Sequence, residues 1–197
     1  PPGGGEVELQ VRPPAGPLTP IVMVDRGAFT AVHIWVHYAG SMPEGVAGKV
    51  AEAAREALIP GLVKLDLRLL PVTTEVCDVG GSGSAGCGVI VTATTANGCV
   101  LAGSALLERG HKPERTGRDA AAMLLENMQH GGCVDEYLAD QLIIYMALAA
   151  GRSEISTGPV SMHTKTSIFF ASHFTGAKFA IRGTPKGAVI SCEGVGL

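Results

Sequence analysis

The run GGCVDEYLADQLIIYMALAAGRSEISTGPVSMHTKTSIFFASHFTGAK, residues 131–178, places a helix, a strand and a second helix in quick succession. Its first part predicts a helix over residues 135–149, and its middle predicts a strand over 153–157 that ends at a Gly-Pro turn. A short helix is predicted over 164–174. A single histidine, His163, therefore lies at the junction between a strand and a helix.

Three polar or aromatic residues share one face of the first predicted helix. Tyr137, Asp140 and Gln141 follow the spacing i, i+3, i+4. The neighbouring apolar stripe is expected to consist of Leu138, Leu142 and Tyr145. Two interpretations stay open: a solvated polar face, or a recognition face. In the second, the ring stacks on a base while the acid and the amide bond a ribose or a base edge.

His163 has two interpretations as well. The N–H groups and the dipole at the start of a helix favour a phosphate, and a neutral imidazole can attack phosphorus while its other nitrogen is held by a hydrogen bond. The alternative is a structural histidine whose hydrogen bonds are satisfied within the fold. The spacing alone does not choose between them.

The rest of this part of the chain has few strands. Strands are predicted over 177–182 and 188–192, and an alternating segment over 6–12 predicts one more. We expect this last strand to join the same sheet, and the sheet to continue in sequence outside these 197 residues. The prolines and glycine that follow, from Pro13 to Pro20, predict a crossing between domains.

The segment between these parts predicts a compact α+β module in the order strand, helix, strand, strand, strand, helix. The elements are expected over residues 30–38, 41–59, 63–70, 89–95, 99–105 and 113–128. Ser41 and Glu44 form a capping-box pattern for the first helix, and Pro60-Gly61 is expected to end it.

Two glycine-containing segments of this module predict turns. Asn97-Gly98 favours positive φ and predicts a hairpin between its two neighbouring strands. Residues 80–88 predict a hinge or surface loop, because they lack the lysine of a phosphate-binding loop. His33 and His37 flank Trp35 on one strand face, where a half-exposed sheet surface is favoured over a metal pair.

Composition excludes several classes of protein. Only 17% of the residues are charged, and the net charge of −3 gives no signal for general duplex binding. The cysteines are five in number and widely spaced, without a C-x-x-C pair, which argues against a disulfide framework or a structural zinc site and indicates a reducing compartment. The longest apolar run, 142–150, is shorter than the roughly 20 residues of a membrane span, so no membrane partner is expected.

Several segments together resemble the RNA 3′-terminal phosphate cyclase family. They are PPGGGEVELQV, GCGVIVTATTANGCVLAGSAL, HGGCVDEYLADQLI, TGPVSMHTKT and ISCEGVGL. The resemblance implies a large domain of repeated βαββ units interrupted by a smaller inserted α+β domain, a four-stranded sheet with two helices. On this basis residues 1–24 end the N-terminal part of the large domain, 25–130 form the insert and 131–197 form its C-terminal part.

The resemblance also implies an activity and its residues. His163 matches the histidine that is adenylated by ATP, with Mg²⁺ support, before AMP passes to an RNA 3′-phosphate and a 2′,3′-cyclic phosphodiester forms. Tyr137, Asp140 and Gln141 match residues of the adenylate pocket, while Lys165 and Arg152 are our own candidates for offsetting phosphate charge.

The family's N-terminal half, with its acidic metal ligand and several arginines, has no counterpart in these residues. The isolated chain is therefore expected to be inactive and to need that half as a partner, beside ATP and an RNA 3′ end. The motifs are closer to eukaryotic members, which favours a nuclear over a cytoplasmic location. Two alternatives remain: a catalytically inactive cyclase-like assembly factor of ribosome biogenesis, and a nucleotide-binding module without turnover.

Overall fold

The computed structural model describes residues 6–12 and 15–197. In these residues the elements are β1 (Val22–Met23), β2 (Phe29–Ala39), α1 (Glu44–Lys64), β3 (Val72–Asp78), β4 (Gly86–Thr95), β5 (Val100–Leu106), α2 (Pro113–Gln129), α3 (Glu136–Leu148), β6 (Arg152–Thr157), α4 (Met162–Thr175), β7 (Lys178–Thr184) and β8 (Gly187–Glu193). The chain divides into a first unit, residues 28–129, and a second unit, residues 7–27 with 130–197. The prediction of an α+β fold is confirmed.

The first unit is a four-stranded sheet with both of its helices on one face. The strand order is β3-β2-β4-β5, with β2 and β3 parallel and the other pairs antiparallel. Alternate residues of β2, Val32, Ile34 and Val36, are fully buried beneath α1 and α2. The hairpin at Gly98, whose φ is +78°, is confirmed. The predicted order of elements is also found, but the strand after α1 is at Val72–Asp78 and not at 63–70.

Two predictions about α1 are wrong. Helix α1 begins after Pro43, which makes no side-chain cap, so Ser41 and Glu44 do not form a capping box. The helix also continues through Pro60-Gly61 to Lys64. Burial of Leu58 and Leu62 in the core on either side of this pair stabilises a helix that the local signal predicts to end.

The strand predicted over 63–70 is also wrong. These residues end α1 and then turn, with Asp66 in the left-handed region at φ +59°. Leu65, Leu67 and Leu70 pack against the core from the turn, whereas Leu69 is exposed. The edge strand is β3, which is richer in β-branched residues. Residues 79–85 connect β3 to β4 without a strand or helix, which confirms part of the loop predicted over 80–88. The prediction is wrong for residues 86–88, which begin β4.

The second unit is a smaller four-stranded sheet with the order β1-β6-β8-β7. Strand β6 pairs antiparallel with β8 and parallel with the short β1. Helices α3 and α4 pack against each other, α3 contacts β6 and β8, and α4 contacts β7. Ile155, Ile190 and Ile143 are among the fully buried side chains of its core.

The predicted strand over 6–12 is wrong. These residues form no strand, and Val7, Leu9 and Val11 are exposed. Residues Val22–Met23 instead provide the additional strand of the second sheet, beside β6. Gly3-Gly5, Pro13 and Pro14, where a turn and part of the domain crossing are predicted, lie outside the described residues.

Candidate functional site

Helix α3 begins at a side-chain cap. Asp135 lies just before the helix, and its carboxylate accepts a hydrogen bond of 2.8 Å from the N–H of Leu138. Such a cap satisfies one of the free N–H groups of a first turn and stabilises the helix by about 1 kcal/mol. The cap places Tyr137 in the first turn of α3.

The buried face of α3 differs from the predicted stripe. Its buried residues are Ala139, Ile143, Met146 and Ala147. Tyr145 is 53% exposed, so the prediction that it lies in the apolar stripe with Leu138 and Leu142 is wrong.

Helix α4 also begins at a serine cap. The hydroxyl of Ser161 accepts from the N–H of Thr164 at 3.1 Å, and its oxygen lies 3.1 Å from the Thr164 hydroxyl. The carbonyl of Ser161 accepts from the N–H of Lys165. His163 is therefore the second residue of the helix and is exposed to solvent. Within the described residues, its imidazole makes no hydrogen bond.

The segment that leads into α4 is closely packed. A Cβ atom at Gly187 would lie 2.1 Å from the carbonyl oxygen of Thr157, and one at Gly158 would lie 2.7 Å from His130. The guanidinium of Arg26 donates to the carbonyls of His130 and Gly132, at 3.3 Å in the second case. These contacts restrict the backbone just before His163.

A cleft of about 300 Å³ lies between α3 and α4. It is lined by Asp140, Gln141, Ile143, Ile144, Ser167, Phe170, Ala171, Phe174 and Thr175. Two of the predicted recognition residues, Asp140 and Gln141, thus line one cavity. His163 precedes Ser167 by four residues and Phe170 by seven, so it shares the face of α4 that lines the cleft.

The remaining predicted residues lie outside the cleft lining. Tyr137 is 53% exposed and lies one turn before Gln141 on the same side of α3. Lys165 is two residues after His163, a spacing that places it on a different side of α4. Arg152 lies on β6 and pairs with Glu193 at 3.3 Å and Glu154 at 4.0 Å.

The sequence-based prediction missed the contribution of α4 to this cleft. Ser167, Phe170 and Phe174 recur at four, seven and eleven residues after His163, which is the spacing of one helical face. This periodicity was the available signal. It could not show that the face meets Asp140 and Gln141, because that contact depends on how the two helices cross.

Among the described residues, no group of three or more His, Cys, Asp or Glu side chains could hold a metal ion. Among the helices in this part of the chain, none combines the length and the apolar character needed to cross a membrane. In the part of the chain that the structure describes, none of the five cysteines forms a disulfide.

The described residues thus form an α+β protein with two sheets, and its candidate site is the cleft between two helices of the second unit. Residues 1–181 match the profile of RNA 3′-terminal phosphate cyclases. The chain is 39% identical to a probable RNA 3′-terminal phosphate cyclase of Dictyostelium discoideum, over 99% of this chain and 46% of that protein. It is 38% identical to the RNA 3′-terminal phosphate cyclase of Pyrobaculum neutrophilum, over 100% of this chain and 54% of the relative.

The cyclase of Drosophila melanogaster is 32% identical over 100% of this chain and 54% of its own length. The chain belongs to the RNA 3′-terminal phosphate cyclase family. It spans about half the length of the relatives it matches.

Proposed function

We propose that the protein converts the 3′-terminal phosphate of an RNA to a 2′,3′-cyclic phosphodiester with ATP, and that His163 is its nucleophile. The proposal rests on the family and on one geometric observation. Asp140 and Gln141 share a cleft with Ser167 and Phe170, and His163 lies on the same face of α4 as these two. A polar recognition face and an exposed imidazole are thus combined on one pair of helices.

The first step is a transfer of the adenylyl group to histidine. A nitrogen of the neutral His163 imidazole forms a bond to the α-phosphorus of ATP, the bond from that phosphorus to the bridging oxygen breaks, and pyrophosphate leaves. Positive partial charge at the start of α4 would stabilise the phosphate, because the first N–H groups of a helix point toward it. The Ser161 cap uses the N–H of Thr164, so the N–H groups of Met162 and His163 are available.

The cleft would hold the nucleoside. Asp140 can accept hydrogen bonds from ribose hydroxyls, and the amide of Gln141 can both donate and accept at a base edge. Phe170 and Phe174 provide an apolar wall. Tyr137, at the start of α3, provides a ring on which a base can stack.

The next two steps complete the cyclisation. An oxygen of the RNA 3′-phosphate attacks the phosphorus of the histidine-bound AMP, and the imidazole leaves. The neighbouring 2′-hydroxyl then loses its proton and attacks the 3′-phosphorus, which forms the cyclic phosphodiester and releases AMP. The imidazole that leaves in the second step is regenerated for another cycle.

Parts of the reaction are assigned to residues outside this chain. Magnesium neutralises phosphate charge in such transfers, but the described residues contain no cluster that fits a metal ion. We assign its ligand to the half of the protein that the relatives have in addition. In this proposal residues 1–24 and 131–197 belong to the large catalytic domain, and 25–130 form its insert.

The test is cyclisation of a 3′-phosphorylated RNA by the full-length protein with ATP and magnesium. We expect His163→Ala to abolish the product. His173→Ala is the matched control, because this histidine is an exposed residue of the same helix. A folded wild-type protein that yields no cyclic product would favour the assembly factor, and full activity of His163→Ala would exclude the assigned nucleophile.

A further inference from the structure

The sheet of the first unit has one face that its helices do not cover, which we call the open sheet face. In the strand register, Trp35 of β2 lies between Glu75 of β3 and Ile90 of β4, and Ile90 lies beside Ser104 of β5. The alternate residues of β2 are buried beneath α1 and α2 on the other face. Trp35 is 45% exposed in the middle of the open sheet face.

Two histidines hold the indole ring on this face. The rings of His33 and Trp35 are 5.1 Å apart at 87°, and those of Trp35 and His37 are 6.2 Å apart at 72°. Both are edge-to-face contacts, a favoured geometry for aromatic pairs. Nδ1 of His33 is in turn 2.5 Å from the hydroxyl of Thr73 on β3. The result is a fixed aromatic row along a central strand.

A groove of about 870 Å³ begins beside this row. His37, Gly88, Ile90 and Leu106 are among its lining residues. Gly88 has no side chain, so it forms a low floor between His37 and Leu106, its partners in neighbouring strands. A Cβ at Gly88 would lie 3.0 Å from Cδ2 of Leu106. The volume is within the range of about 300–1,000 Å³ that is typical of small-ligand sites.

The groove also contains a polar atom that needs a partner. Nδ1 of His37 is buried and makes no hydrogen bond with any described residue. Burial of an unpaired polar atom is unfavourable, and such atoms are uncommon in folded proteins. His37 therefore contributes its ring to the wall of the groove, and no hydrogen bond to a ligand is assigned to this nitrogen.

The charges around the groove are mixed, because the carboxylate of Asp78 lies near the lining residue Tyr38 while two exposed cations follow on the loop at Glu108. Glu108 lines the groove and is paired with His111, Oε2 to Nδ1, at 3.2 Å. Arg109 and Lys112 are on the same short loop, are exposed, and make no ion pair within the described residues. Two exposed cations therefore stand on the loop that follows Glu108, whose own carboxylate is paired with His111.

We propose that the open sheet face binds the single-stranded RNA that leads to the reacting 3′ end. A base stacks on Trp35, a neighbouring base enters the groove over Gly88, and Arg109 and Lys112 contact phosphates. Other RNA-binding modules also stack bases on aromatic side chains of a four-stranded sheet. This proposal rests on the proposed function only for the choice of RNA as the nucleic acid.

The test compares a long and a short RNA on the full-length protein. The long probe is a fluorescently labelled, 3′-phosphorylated single strand of about a dozen nucleotides, a typical site size for such surfaces. The short probe is a 3′-phosphorylated dinucleotide. We expect Trp35→Ala to raise the Kd and the KM of the long RNA by about 5- to 150-fold, the loss of one stacked base. The KM of the dinucleotide and the adenylation of the protein should not change.

Three further variants keep this test independent of folding. Leu106 is 79% exposed, so Leu106→Glu adds a negative charge to the groove without disturbing the core. This variant should also bind the long RNA more weakly than the wild type. Val100→Ala alters the opposite end of β5 and should have no effect. Trp35→Phe should retain most of the binding, because a ring remains.

Unchanged affinity for the long RNA in folded Trp35→Ala and Leu106→Glu proteins would overturn the proposal. A second result would also overturn it: the wild type is a dimer, Leu106→Glu converts it to a monomer, and the affinity for RNA does not change. The open sheet face would then be an interface between copies of the chain. Direct binding is measured without turnover. RNA binding that depends on Trp35 in a protein without cyclase activity would therefore reject the proposed function and retain this one.

Discussion

The hydroxyl of Ser161 accepts a hydrogen bond from the N–H of Thr164 at 3.1 Å, and His163 lies between these two residues. The bond fixes the first turn of α4, and Thr164 is itself buried. The direction of the His163 imidazole from the helix therefore depends on the cap, although Ser161 does not take part in the chemistry that we propose.

Loss of this cap should weaken both the fold and the reaction. We expect Ser161→Ala to lower the free energy of unfolding by about 1 kcal/mol, the usual contribution of a serine cap, and to slow adenylation. Ser161→Asp retains a capping oxygen and should restore the stability. Urea unfolding and the rate of AMP transfer measure the two effects. Equal stability of Ser161→Ala and the wild type would show that the cap does not hold this turn.

Tyr137 and Tyr145 provide a matched pair on α3. Both are 53% exposed and each lies one turn from Gln141, but Tyr137 is also one turn from Asp140, whereas Tyr145 lies five residues after Asp140 and on a different side of the helix from it. We expect Tyr137→Ala to raise the Kd for a non-hydrolysable ATP analogue about 5- to 100-fold in the full-length protein, and Tyr145→Ala to leave it unchanged. Calorimetric titration measures both. Similar effects of the two substitutions would argue against a stacking role.

Gly117 marks the closest approach of α1 and α2. A Cβ there would lie 2.2 Å from the carbonyl oxygen of Val50, whereas one at Gly48 of α1 would meet no atom within 4 Å. We expect Gly117→Ala to destabilise the chain by about 1–3 kcal/mol through overpacking. Gly48→Ala should stabilise it by about 0.5–1 kcal/mol through helix propensity. Urea titrations of the two variants should move in opposite directions, and a neutral Gly117→Ala would contradict the packing of the two helices.

Cys192 should make stability fall at alkaline pH. Burial, and then the nearby Glu193 carboxylate, raises the pKa of this thiol to about 11 from an ordinary value of 9.0. A raised pKa means that the fold disfavours the thiolate. The contribution is therefore complete below pH 9 and is lost as the pH rises toward 11.

The check is urea unfolding of the wild type and Cys192→Ala between neutral pH and pH 11. The variant should be less stable at neutral pH, and its stability should fall less steeply above pH 9. If the free energies of unfolding of the two proteins fall in parallel with pH, another group causes the loss of stability at alkaline pH.

The sequence predicted those elements that begin or turn at a local signal, such as a capping residue or a glycine with positive φ. Residues Asp135 and Ser161 stand before periodic segments, so α3 and α4 begin within a few residues of the predicted starts. The Asn97-Gly98 turn also has a local cause, since Gly98 adopts the positive φ that the hairpin needs. Each of these signals lies within a few residues of the element it defines.

Predictions failed where contacts distant in sequence decide the structure. Helix α1 passes through Pro60-Gly61 because the core takes up Leu62, and Gly61 makes room for the side chain of Leu125 from α2. Residues 6–12 alternate in polarity but form no strand, and Val22–Met23 is the segment that pairs with β6. The spacing of Ser167, Phe170 and Phe174 after His163 indicates one face of α4. That this face forms a cleft with Asp140 depends on how α3 and α4 pack, which no local sequence pattern contains.

The most direct test of the account is the site of adenylation. The full-length protein would be incubated with ATP and magnesium and its mass measured intact, and any adduct would be located by peptide sequencing. The account predicts one AMP group on His163, absent from His163→Ala and retained in His173→Ala. An AMP group on a different residue, or none on a folded protein that cyclises RNA, would contradict it.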